Sequence, residues 1–105
     1  MERCVLCAAS AYEEKYYFNP MFEKVPERIR QELKIIAVLF TTEIGGTITF
    51  VFDEDGELMI ETGSAEDDLL YDDIGAGLMV AEIRRSKRDM FESLNLYRKV
   101  LGELE

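Results

Sequence analysis

At 105 residues the chain has the length of one folded domain with a single core, and it is too short for two. With 48% apolar residues, Phe and Tyr among them, and little Gly or Pro, its composition excludes intrinsic disorder despite a net charge of −10. That charge is concentrated: residues 53–82 hold eleven acidic side chains and no basic one, a field that disfavours direct contact with nucleic acid or anionic lipid.

The longest apolar run, Ile35 to Phe40, has six residues, far short of the ~20 that a membrane crossing needs. The start of the chain, Met1-Glu2-Arg3, lacks the pattern of an export signal, so a cytoplasmic location is expected.

In chain order, Val5 to Ala8 is a short apolar run that reads as a strand. Ser10 followed three residues later by Glu13 has the spacing of a capping box, which predicts a short helix through Tyr17, closed at Asn19 before Pro20. Pro26 suits a first helical position, and Ile29, Leu33, Ile36, Ala37 and Phe40 recur at helical spacing, so a core helix is predicted from Glu27 to about Glu43, stopped by Gly45 and Gly46.

Thr47 to Phe52 and Glu57 to Thr62, separated by Asp53 to Gly56, specify an antiparallel hairpin, with Ile48, Phe50, Phe52, Leu58 and Ile60 facing the helices. Ser64 can cap a further helix whose first turn holds Glu66, Asp67 and Asp68. Along it Ala76, Val80, Ile83, Met90, Leu94, Tyr97, Leu101 and Leu104 make one apolar stripe, while Leu70, Ile74, Leu78 and Phe91 make a second.

Unbroken from residue 65 to 101, that helix would be about 55 Å long, against a radius of gyration near ~13 Å for a compact domain of this size. Either it breaks near Arg85 to Lys87, with Ser86 capping a second helix, or it projects and packs on another chain. The expected architecture is α+β: a hairpin, extended to three strands if the amino-terminal run joins it, packed on two to four helices in one domain spanning residues 1–105. Two apolar stripes call for two neighbours, which makes a homodimer the expected assembly.

Four groups of residues are candidates for a site. Cys4 and Cys7 form a CxxC, the spacing of metal and thiol-redox pairs, although no histidine or second cysteine pair completes a zinc set; the alternative is two buried thiols. Asp53 to Gly56 resembles the first residues of a calcium loop but runs straight into a strand, as a solvated turn would. Asp67, Asp68, Asp72 and Asp73, together with Glu66, crowd five carboxylates into eight residues and could engage a divalent metal or a basic protein partner; dipole complementarity and solubility are the simpler account.

Arg84, Arg85, Lys87 and Arg88 form the one dense basic cluster, fit for phosphate or for pairing with the acidic stretch inside the chain or across a dimer. Without histidine there is no Ser-His-Asp or Cys-His arrangement, and there is no phosphate loop, so the reading favours a non-enzymatic module with no cofactor. An acidic module for protein interaction comes first, a CxxC metal or redox protein second, and an acidic mimic of nucleic acid third.

The stretches Tyr12 to Pro20, Glu32 to Gly46, Phe52 to Gly56, Asp68 to Gly75 and Glu92 to Tyr97 together resemble a family of small uncharacterised proteins from Clostridia and related Firmicutes, a domain of unknown function. The resemblance implies a bacterial cytoplasmic protein and assigns no residue a role.

Overall fold

The computed structural model describes residues 1–104 as an α+β fold with four strands, Cys4–Ser10 (β1), Lys15–Phe18 (β2), Thr47–Phe52 (β3) and Leu58–Gly63 (β4), and three α-helices, Glu27–Glu43 (α1), Asp73–Ser86 (α2) and Arg88–Glu103 (α3). The strands form one antiparallel sheet in the order β2-β1-β3-β4. The amino-terminal strand therefore sits in the middle of the sheet.

Pairing puts apolar side chains in rows across one face. Phe18, Cys7, Phe50 and Ile60 stand in register, as do Tyr16, Ala9 and Ile48. Leu33, Ile36, Ala37 and Phe40 of α1, Ala76 and Ile83 of α2, and Phe91 and Leu94 of α3 cover this face. Phe22, Phe40, Phe50 and Phe52 are fully buried, which stabilises the fold by about 1.5–3 kcal/mol apiece. The other face carries Ala8, Thr49 and Glu61, with Arg3 paired to Glu61.

The hairpin and α1 form as predicted. Asp53 closes the hairpin turn by accepting from the N–H groups of Asp55 (2.9 Å) and Glu57 (3.0 Å). The carboxylate that a calcium loop would have offered to an ion is thus committed to backbone. Gly45 and Gly46, at φ 91° and 66°, end α1 in the left-handed region that favours glycine.

Three expectations are corrected. Residues 11–17 do not form a helix: Ser10 Oγ accepts from the Glu13 N–H at 3.3 Å, but Glu14 turns to φ 52° and the chain reverses into β2. The local cap closes a turn, and pairing with β1 takes the residues beyond it. Residues 64–72 are likewise turns and not the start of a helix. Here the Asp68 carboxylate is held elsewhere, and Asp72 supplies the cap of α2 by accepting from the Gly75 N–H at 2.8 Å.

The long carboxyl-terminal helix does break, at the single residue Lys87 (φ −114°, ψ 22°), and Ser86 does not cap α3. Its hydroxyl donates back to the Ile83 carbonyl. The first predicted stripe faces the core from Ala76 to Leu101. The second divides: Phe91 is buried against Phe50, whereas Leu70, Ile74 and Leu78 point outward.

Candidate interaction surface

The acidic loop is shaped by its own side chains. The Tyr12 hydroxyl donates to the Asp68 carboxylate at 2.6 Å and accepts from the Ala65 N–H at 2.9 Å. The hydrogen bond to Asp68, more than any other influence, raises the Tyr12 pKa above its ordinary value. Asp68 also accepts from the Leu70 N–H, and Asp72 caps α2. Of the five clustered carboxylates, two therefore hold the loop in place, while Glu66, Asp67 and Asp73 are exposed.

The basic cluster lies at the other end of α2, 14 residues or about 20 Å away at 1.5 Å per residue. Arg85 pairs with Glu82 at 2.6 Å, Lys87 with Glu32 of α1 at 2.5 Å, and Arg84 reaches the Met59 sulfur at 3.9 Å. These contacts leave the loop carboxylates and the basic cluster far apart within one chain. Both placements suit the dipole of α2, acids at its amino end and arginines at its carboxyl end.

Between these charged ends α2 turns an apolar side to solvent. Ile74 and Leu78 are 78% and 69% exposed, and the preceding Leu69 and Leu70 are 90% and 94% exposed. Ile35, Val38 and Leu39 add exposed apolar surface on the outward side of α1. Isolated exposed leucines are ordinary; four large apolar side chains within ten residues make a patch of the kind that protein contacts cover.

A groove of about 730 Å³ runs between β4 and the α2–α3 junction, lined by Arg84, Arg85 and Arg88 but also by Glu57, Asp89 and Glu92. The mixed charge gives it no strong preference for an anion. At its edge Asn95 accepts from the Leu58 N–H at 2.7 Å, a contact across 37 residues that the sequence did not suggest.

The CxxC lies along β1. A bulge between Val5 and Cys7 sets Cys4 opposite Phe52 and Cys7 opposite Phe50, so both cysteines stand on the core side of the sheet, and both thiols are free. Burial pushes the Cys7 thiol up to about 12, and Tyr16, facing it, is raised chiefly by burial as well. That is the reverse of an activated thiolate. Cys4 is partly buried beside Met21 and Asn19. Among the described residues no three His, Cys, Asp or Glu side chains are grouped to hold a metal ion, and no helix is long and apolar enough to cross a membrane.

Residues 3–104 match the model of a family of unknown function (DUF6145), and the chain belongs to that family. No curated protein and no solved structure matches it.

Proposed function

We propose that this member of a family of unknown function is a non-enzymatic protein-interaction module that works as a homodimer and offers the acidic face around Asp53 to Glu82 to a basic partner. The observation that carries this reading is the exposure of Leu70, Ile74 and Leu78 on a chain whose other helical stripe is satisfied by its own sheet. Covering such side chains contributes about 1.5–3 kcal/mol each. Six such side chains from two copies contribute about 9–18 kcal/mol against an association cost of about 4–15 kcal/mol, so a weak dimer is expected.

The free thiols of Cys4 and Cys7 suit a reducing bacterial cytoplasm. A mimic of nucleic acid is less well supported, because the exposed carboxylates are scattered over the whole chain, from Glu13 and Glu14 through Glu61 to Glu92, and include many outside the acidic segment.

Sedimentation velocity on the full chain from roughly 1 to 300 µM tests self-association, and calorimetric titration with a lysine- and arginine-rich peptide at low and moderate salt tests the acidic loop. A chain that stays monomeric throughout and takes up no heat from the cationic peptide would overturn the reading.

A further inference from the structure

Residues 73 and 84 are eleven apart, three helical turns to within about 20° at ~3.6 residues per turn, so Asp73 and Arg84 lie on the same flank of α2. By the same spacing Ile74, Leu78, Ala81 and Arg85 form one outward row. The helix is thus a strip with Asp73 at one end, Arg84 and Arg85 at the other, Arg85 being paired with Glu82 of its own chain, and apolar side chains between them. Laid on a copy of itself in the opposite direction, such a strip is complementary to itself; laid parallel, it opposes like charges at both ends.

Resting on the reading that the chain self-associates, we infer that two copies pack α2 against α2 antiparallel about a twofold axis beside Leu78. Asp73 of each copy then meets Arg84 of the other, and Ile74 packs against the neighbouring turn of the second helix. Gly77 has nothing within 4 Å of its would-be Cβ, and with Ala81 it keeps the contact face shallow enough for close approach. Isologous symmetry makes every contact occur twice.

The assembly joins what one chain keeps apart. Each acidic loop, with Asp67 and Asp72, comes to lie beside Arg85 and Arg88 of the second copy, which makes two composite clusters of both charges, one at each end of the interface. Leu70 lengthens the apolar strip toward those ends.

Charge reversal tests the arrangement in the full chain, with dissociation constants read by sedimentation. Asp73→Arg and Arg84→Asp each weaken the dimer about tenfold or more, since each places like charges at two symmetric contacts, and the double variant Asp73→Arg/Arg84→Asp restores affinity to within about threefold of the native chain. Leu78→Glu, at an exposed position, abolishes the dimer and leaves the circular dichroism spectrum unchanged.

Three results separate the ways the proposal can fail. A dimer that survives Leu78→Glu would show that self-association holds but uses another surface. Loss of the dimer in Leu78→Glu together with indifference to both charge reversals would overturn the antiparallel pairing alone. A native chain that is monomeric at every concentration would remove the underlying reading as well.

Discussion

Tyr12 and Asp68, 56 residues apart in sequence, are joined by a hydrogen bond of 2.6 Å that ties the β1–β2 turn to the acidic loop. The same hydroxyl accepts from Ala65, so one phenol fixes both the entry and the middle of a segment that has no regular structure of its own.

Tyr12→Phe is therefore expected to release the loop without unfolding the protein. Amide hydrogen exchange at Ala65 and Leu70 should accelerate at least about tenfold, while the global denaturation midpoint stays nearly unchanged. An unchanged exchange rate at Ala65 would show that the loop is held by other contacts.

Gly45 and Gly46 should respond differently to alanine. Both lie at positive φ, but a Cβ on Gly45 meets nothing within 4 Å, whereas one on Gly46 would sit 2.3 Å from the Gly63 carbonyl and 2.5 Å from the Tyr71 ring. Gly45→Ala should cost about 1–2 kcal/mol, the conformational strain alone. Gly46→Ala must also displace backbone, and urea denaturation should register a clearly larger loss.

Thiol reactivity should separate the two cysteines. Cys4, partly exposed, should react with Ellman's reagent in the native protein; Cys7, buried, should react only after denaturant is added. One thiol titrating quickly and one slowly is the expected record. Two fast thiols, or an oxidant-dependent loss of both, would favour the CxxC redox reading instead.

The buried Cys7 also makes stability depend on pH. Its pKa is near 9 in the unfolded chain and about 12 in the folded one, so the folded state holds the proton more tightly. The resulting stability is fully present below pH 9 and is lost as pH rises from about 9 toward 12, by an amount on the order of 2–4 kcal/mol. Denaturation midpoints at pH 8 and 10.5 measure it, and Cys7→Ala should flatten the dependence, whatever its own effect on stability at pH 8.

The hairpin and α1 were legible because their signals are local: β-branched alternation around a turn ending in Gly56, and a helical stripe bounded by Pro26 and Gly45. The strand β2 was not, because Ser10 and Glu13 satisfy the same local rule whether a turn or a helix comes next, and only pairing of Tyr17 with Ala8 decides between them. The start of α2 was misplaced for a related reason. Ser64 and Asp72 are both good caps, and the choice depends on Tyr12 drawing Asp68 into the loop from a distant turn.

The proposed surface was half legible. Helical periodicity marks out two stripes between residues 70 and 104, but it cannot say which one the sheet covers, since both are equally apolar. The sheet covers the first, and the break at Lys87 divides the second, which puts Phe91 edge-on against Phe50 and leaves Ile74 and Leu78 on the far side. No feature of the sequence alone predicts that outcome.

The central position of β1 bears on how the molecule is made. Its partner β3 begins some forty residues downstream, so during synthesis the first strand can form only a two-stranded hairpin until Phe52 has left the ribosome. Trimming Cys4–Ser10 would not shave an edge but would cut the sheet in two, stranding β2 on one side and the β3–β4 hairpin on the other.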